Sequence, residues 1–313
     1  VSIAGNGALC ARREGGGTPE SSSWGVNSEY GVLRDVLLGP PESFRWTTGN
    51  AQFSALARAA LRSGEQFDQQ LAMRQHREMV DCYQDAQVRV HMMDVNETLP
   101  LQVFARDSNF MTPYGAVVCQ LANPRRRGEY AEVLRFYLEN DIPLYELVSA
   151  GNFEGGDFNT IRPGCALIGY TGLRTEEVAA KQVGAWFERE GWEIRYAPID
   201  EYYVHIDLMV CMLAENLAAV CLDTTDEGIV DWLHAKGIET VPVSFRDTMG
   251  LGCNVMALGN DKVLSTASSK DLNERMRALG LHVYDPDISM FIKGGGGIHC
   301  MAQPLRRDPV EAV

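Results

Sequence analysis

The stretch Asn109-Phe110-Met111-Thr112-Pro113-Tyr114-Gly115-Ala116-Val117-Val118-Cys119-Gln120 holds two short apolar runs around a Pro/Gly turn. Runs of this length, joined this way, predict a β-hairpin. Downstream, Tyr130, Val133, Leu134, Tyr137 and Leu138 fall at i, i+3, i+4, i+7 and i+8, the one-sided stripe of an amphipathic helix. Pro143-Leu144-Tyr145-Glu146-Leu147 then predicts a strand. The order is hairpin, helix, strand.

The same order recurs three times. Phe158–Ile161 turns at Arg162-Pro163-Gly164 into Cys165–Gly169; a helix carries Ala179, Val183, Trp186 and Phe187, and Trp192–Ile199 closes the unit. Leu208–Leu213 turns at Glu215-Asn216 into Leu217–Leu222, before a helix around Ile229–Leu233 and a strand at Glu239–Val243. Asn254–Leu258 turns at Gly259-Asn260-Asp261 into Lys262–Thr266, followed by a helix with Leu272, Met276 and Leu279 and the strand Leu281–Tyr284. Half-units stand at the two ends. His299–Leu305 is a strand with no partner after it. Tyr30–Leu38 has none before it, and is followed by a helical segment near Phe67–Tyr83 and the strand Val88–Met92. Joining the halves gives a fifth unit. An α/β ring of five ββαβ units closed on itself solves the open-edge problem that linear repeats solve with caps.

Residues 1–23, Gly-rich and then Thr18-Pro19-Glu20-Ser21-Ser22-Ser23, predict a flexible tail; residues 24–313 read as a single catalytic domain. The 313-residue chain carries 28 Lys+Arg against 42 Asp+Glu, a formal net charge of −14. That excess argues against nucleic acid or an anionic membrane as partner, since both require a basic surface. The most apolar stretch, Val204–Leu222, is interrupted by His205, Asp207, Glu215 and Asn216 and does not suit a bilayer. The first residues show no basic segment followed by an apolar one, so no secretory signal is expected. Eight cysteines are too sparse for a disulfide scaffold, and no pair or His/Cys set has zinc spacing. Free thiols in a reducing cytoplasm are expected.

The repeat also sets a phase. At the start of each unit's first strand stand Asp107, Glu154 with Asp157, His205 with Asp207, Cys253-Asn254 and Cys300, with leading residues 47 to 51 positions apart. Equivalent strand ends of a ring converge on one axis. Carboxylates, a histidine and a cysteine should therefore meet at one mouth.

Cys300 follows Gly294-Gly295-Gly296-Gly297-Ile298-His299, where glycines let the backbone approach a ligand or take positive φ. It is a nucleophile candidate, against the alternative of a buried strand cysteine after a hinge. Cys253, after Gly250-Leu251-Gly252, is the rival, although Asn254–Leu258 reads as core. In Tyr203-Val204-His205-Ile206-Asp207, strand alternation would put His205 and Asp207 on one face. His76, His91, His234 and His282 read as ordinary core or surface residues. Glu154-Gly155-Gly156-Asp157 is otherwise a polar turn, and Arg106-Asp107 a surface ion pair; their shared phase is what singles them out.

Carboxylates beside a thiol raise its pKa, a poor arrangement unless the substrate is itself a cation. A guanidinium offers forked N–H groups that carboxylates accept, and its charge favours the thiolate. The thiolate can attack the central carbon. His205 can protonate the leaving amine and then activate water, with Glu154 orienting the imidazole.

With these residues in place, the chain resembles the guanidino-group-modifying enzymes of the pentein superfamily: arginine and agmatine deiminases, dimethylarginine dimethylaminohydrolase and amidinotransferases. The resemblance runs from about Trp24 to Arg307, through Phe104–Asp107, Glu154–Asp157, His205-Ile206-Asp207, Asn254–Leu258 and Gly294–Cys300. It implies a five-bladed α/β propeller. It implies Cys300 as nucleophile through a covalent thiouronium-type intermediate, His205 as general acid/base and Glu154 as its partner. Asp107 and Asp207 match the guanidinium clamps, and Asp157 holds either the substrate or the turn. No metal or organic cofactor belongs to that mechanism, and a homodimer is compatible with it. Glu154-Gly155-Gly156-Asp157 is more like the deiminases and related hydrolases than the amidinotransferases, so hydrolysis of a guanidino or ureido compound is favoured. Amidino transfer to an amine is the alternative, and a non-catalytic binding protein of the same fold a minor one. Arg125, Arg126, Arg127, Arg174 and Arg246 could meet a substrate carboxylate, but as loop arginines they read as solvated charges.

Overall fold

The computed structural model describes residues 24–46, 55–200 and 202–311; the tail assigned to residues 1–23 lies outside them. In chain order the elements begin with β1 (Leu33–Leu38), α1 (Ala55–Arg62), α2 (Gln69–Asp85) and β2 (Arg89–Met92). Next come β3 (Asn109–Thr112), β4 (Gly115–Val118), α3 (Glu129–Glu139) and β5 (Leu144–Leu147). Then follow β6 (Phe158–Arg162), β7 (Cys165–Tyr170), α4 (Glu177–Arg189) and β8 (Glu193–Pro198). The fourth group is β9 (Val210–Ala214), β10 (Leu217–Val220), α5 (Glu227–Ala235) and β11 (Glu239–Pro242). After α6 (Phe245–Met249) come β12 (Met256–Gly259), β13 (Lys262–Leu264), α7 (Lys270–Ala278) and β14 (His282–Tyr284). The chain finishes with α8 (Ser289–Gly294), α9 (Ile298–Met301) and β15 (Ala302–Arg307).

The strands form five three-stranded sheets. In each, the middle strand is antiparallel to the first and parallel to the third, as a hairpin followed by a helical crossover requires. The middle strands are covered on both faces, which is why β4 and β7 read as continuous apolar runs rather than alternating ones. In the second complete unit, α4 buries Ala179, Ala180, Val183, Trp186 and Phe187 along one face. Phe187 packs with Phe110, Phe158 and Trp192, and Phe110 and Phe158 stack with centroids 4.2 Å apart. A ring of this size, fully buried, contributes roughly 2–3 kcal/mol of transfer free energy.

The first sheet joins the two ends of the repeat: β1 pairs antiparallel with β15, from Leu33 opposite Arg307 to Leu38 opposite Ala302, and parallel with β2. The expected strand His299–Leu305 is thus corrected at its start: residues 298–301 form a helical turn and pairing begins at Ala302. The reason lies opposite. After Leu38 the chain reads Gly39-Pro40-Pro41, which offers the next residues no regular strand partner. The expected strand start at His205–Asp207 is likewise a 3₁₀ turn over Ile206–Leu208, with β9 beginning at Val210. Helices α1, α6 and α8 lie outside the repeat and were not read from the sequence. Among the described residues no helix is long and apolar enough to cross a membrane, and the seven described cysteines are free.

Candidate active site

Each unit delivers its polar residues just ahead of its first strand. Asp107 sits in the turn before β3, Glu154 at the start of the 3₁₀ turn leading to β6, and His205 at the start of the turn leading to β9. Asn254 precedes β12, and Cys300 lies in α9 ahead of β15. The ring brings them together. His205 Nε2 is 2.9 Å from Glu154 Oε2, and its Nδ1 is 3.8 Å from Asp107 Oδ1. Cys300 Sγ lies 3.9 Å from Asp207 Oδ2. The Cys300 amide donates to Asn254 Oδ1 at 3.2 Å, fixing the turn that carries the thiol.

His205 and Asp207 do not share a strand face. Asp157 Oδ1 accepts the Ile206 amide at 2.9 Å, and the bend sends His205 to Glu154 and Asp207 to His299, 2.8 Å away. Asp157 therefore holds the turn between them. Gly156 is needed here: a Cβ would stand 2.7 Å from His205 Nδ1. Within the glycine run, Gly295 ends α8 in the left-handed region at φ +102°.

Two arginines overturn the solvated-charge reading. Arg126 is 2% exposed and Arg174 8%. Arg126 donates to Asp107 at 2.5 Å and grips both oxygens of Glu129 at 2.8 and 2.7 Å. Arg174 donates to Glu154 at 2.5 Å. Arg125 and Arg246 are exposed, as expected. Arg126 and Arg174 stand 48 residues apart, and each precedes the first residue of its unit's helix by three. That shared phase was the available signal. Arg106 is not the surface partner of Asp107; it is buried against Glu29 and His299. The rival thiol, Cys253, lies in an apolar cluster with Cys211, Cys221 and Val263 and does not line the cavity.

A cavity opens over this group, its apolar lining supplied by Leu101, Phe104, Val204 and Leu208. Asp107, Arg126, Arg174, His205 and Cys300 line the rest, with Gly294–Gly296. Asp107 Oδ1, Glu154 Oε1 and Asp207 Oδ1 are buried without a hydrogen-bond partner among the described residues. Such oxygens are costly unless a donor gives them a hydrogen bond.

Burial pushes the Cys300 thiol well up, and the charges of Asp207 and Asp107 push it further. Burial opposes the His205 imidazolium, but Asp157, the Glu154 hydrogen bond and Asp107 outweigh it and hold the ring up to about 9. Glu154 resists its own burial through Arg174 and His205 and is lowered to about 2. Asp157, chiefly through burial, rises to about 6. These shifts favour a protonated imidazole beside an ionised glutamate, and an un-ionised thiol. Donor atoms of Asp107, Glu154 and His205 lie within 4.8 Å of one another, a metal-compatible spacing. The guanidinium groups of Arg126 and Arg174 on the same carboxylates compete against a metal ion there.

A five-bladed α/β ring whose axis gathers a thiol, an imidazole and carboxylates defines the pentein superfamily of guanidino-group-modifying enzymes. The chain belongs to the family described as N,N dimethylarginine dimethylhydrolase, eukaryotic, whose model matches residues 40–307. It is 26% identical to the uncharacterized protein YkgA of Bacillus subtilis, over 90% of this chain and 94% of that one. Its fold matches the N-terminal domain of ArgZ, a cyanobacterial arginine dihydrolase bound to product, with a TM-score of 0.75 at 19% identity. That match covers 87% of this chain and 97% of the other. The dimethylarginine dimethylaminohydrolase of Pseudomonas aeruginosa, in complex with citrulline, matches with a TM-score of 0.70 at 20% identity, over 87% of this chain and 99% of that one.

Proposed function

We propose that the protein hydrolyses a guanidino or ureido amino acid through a covalent intermediate on Cys300. The observation that supports this most is the pair of unpartnered buried oxygens, Asp107 Oδ1 and Asp207 Oδ1, around a thiol whose ionisation both carboxylates oppose. A guanidinium placed there donates hydrogen bonds to both oxygens and cancels that opposition in one step.

The Cys300 proton leaves to solvent as the cation binds, and the thiolate attacks the guanidinium carbon to form a C–S bond. The C–N bond breaks as His205 gives its proton to the departing amine or ammonia. A thiouronium remains. Neutral His205 then takes a proton from water, whose oxygen attacks the same carbon, and the C–S bond breaks to release a ureido product and the thiolate. Glu154 stabilises the imidazolium in each half, and Asp157 positions the turn that carries it. Asp107 and Asp207 are the clamps. Arg126 and Arg174 line the same cavity, paired with Asp107, Glu129 and Glu154, and their guanidinium groups lie where the carboxylate of an amino-acid substrate could reach them.

The test is a panel of L-arginine, its N-methylated forms, agmatine and guanidinoacetate, followed by release of ammonia or amine and by mass spectrometry. Release from an amino-acid guanidine without added amine, with a transient amidino adduct on Cys300, is the expected result. A requirement for an amine acceptor, with a guanidinylated product, would replace hydrolysis by amidino transfer. Undiminished turnover in Cys300→Ala would end both readings.

A further inference from the structure

Behind Cys300 lies a second charged group that the reaction above does not use. Glu29, Arg106 and His299 are all buried and come from three separate segments, and they lead to Asp207. Arg106 Nη2 is 2.5 Å from His299 Nε2 and 3.2 Å from Glu29 Oε2. His299 Nδ1 is 2.8 Å from Asp207 Oδ2, the oxygen that lies 3.9 Å from the Cys300 thiol.

These contacts fix where the histidine's proton is. A guanidinium has donors only, so Nε2 must accept. The ring proton is then on Nδ1 and is donated to Asp207. Glu29 is 3.6 Å from Nε2, too far to take the arginine's place; its charge instead neutralises Arg106. With Oδ2 of Asp207 held by the imidazole, Oδ1 is the oxygen left without a partner among the described residues.

We propose that His299 is a positioning residue: it holds Asp207 as an oriented clamp that draws a cationic carbon onto the Cys300 thiol. This rests on Cys300 being the attacking thiol. Arg106 and Glu29 fix the tautomer from behind, so the neighbour of the cysteine in sequence acts on it through a residue 93 positions away.

The experiment compares two alkylating agents of nearly equal size, 2-chloroacetamidine, a cation, and 2-chloroacetamide, which is neutral. With each, the thiolate forms a C–S bond as the C–Cl bond breaks and chloride leaves. The ratio of the two rates at Cys300, read by mass spectrometry, reports cation recognition independently of general site integrity. The native protein is expected to prefer the cation. In His299→Leu that preference should fall about tenfold or more, the scale of losing a hydrogen bond to a charged group. The rate with the neutral reagent should stay within about threefold. His299→Asn keeps an N–H directed at Asp207 and should retain most of the preference. An unchanged ratio in His299→Leu overturns the proposal. If that variant does not fold, His299→Asn decides, because loss of the preference there overturns it equally. Absence of any Cys300 adduct in the native protein would sink the proposed function and this inference with it. A cation preference indifferent to His299 would sink the inference alone.

Discussion

Two cysteines in this chain follow glycine-bearing turns, Cys253 after Gly250-Leu251-Gly252 and Cys300 after Gly294–Gly297. Both are buried, and burial pushes both thiols up. Their surroundings separate them. Around Cys253 stand Cys211, Cys221, Val255 and Val263, and its polar contact is the Thr248 hydroxyl at 3.7 Å. Around Cys300 stand Asp207, Asn254 and a cavity lined by Asp107, His205, Arg126 and Arg174. Burial leads at both thiols; the next contributions are a pair of carboxylates, Asp207 and Asp107, at Cys300, and at Cys253 a lowering hydrogen bond from Thr248, with Cys221 and Asp247 raising it less. The charge part can be offset by a ligand, and of the two thiols Cys300 is the one that lines the cavity with Asp107, so under the proposed function it is the one a bound cation would shift.

The largest effect should come from exchanging the two thiols' fates. Cys300→Ala is expected to lower turnover of the guanidine panel by about 10⁴-fold or more. Cys253→Ala should leave turnover per folded molecule within about twofold and cost about 1 kcal/mol in denaturant unfolding. Comparable activity losses in the two variants would erase the distinction.

Next in size is the imidazole's partner. Glu154→Gln removes a carboxylate that helps hold His205 at about 9. We expect kcat to fall about 10²-fold, with the high-pH limb of the pH–rate profile moving to lower pH, because the protonated ring supplies the leaving group's proton. A limb that stays in place would remove Glu154 from this role.

The two turns can be compared directly. A Cβ at Gly297 would stand 2.6 Å from Asn254 Oδ1, the acceptor of the Cys300 amide, and one at Gly252 would stand 2.8 Å from the Asp247 carbonyl oxygen. Gly297→Ala should cost about tenfold in turnover by displacing the thiol. Gly252→Ala should cost about 1–3 kcal/mol of stability and little activity per folded molecule. Steady-state kinetics and thermal unfolding on both variants check the pair.

The smallest effect is in stability against pH. His205 has a folded-state pKa of about 9, above its ordinary 6.5. Its stabilising contribution is therefore complete below 6.5 and lost as pH rises through 9. The stability difference between the native protein and His205→Asn should shrink over that window, while the difference for Cys253→Ala stays level. Unfolding midpoints from pH 6 to 10 would show either pattern.

The repeat made much of this legible. Hairpin turns at Pro113–Gly115, Arg162–Gly164 and Gly259–Asp261 mark the units, and their phase alone brings Asp107, Glu154, His205 and Cys300 to one mouth. The local conformation there was not legible. The bends at Ile206 and Ile298–Met301 are set by Asp157, by Asn254 and by where β1 ends, all distant in sequence. Arg126, Arg174 and His299 were missed for a related reason. A charged loop residue looks solvated until its buried partner is known, and only their place in the repeat could have marked the two arginines beforehand.

The strand that seals the ring, β15, is last in chain order among the described strands, and Cys300 stands two residues ahead of it. The acids and His205 are thus on earlier units, while the thiol and the histidine that contacts Asp207 arrive with the final hydrogen-bonded ladder. Under the proposed function, pairing β15 with β1 also carries the thiol to the acids, so a chain divided between β14 and α8 is expected to react only when its two pieces dock together.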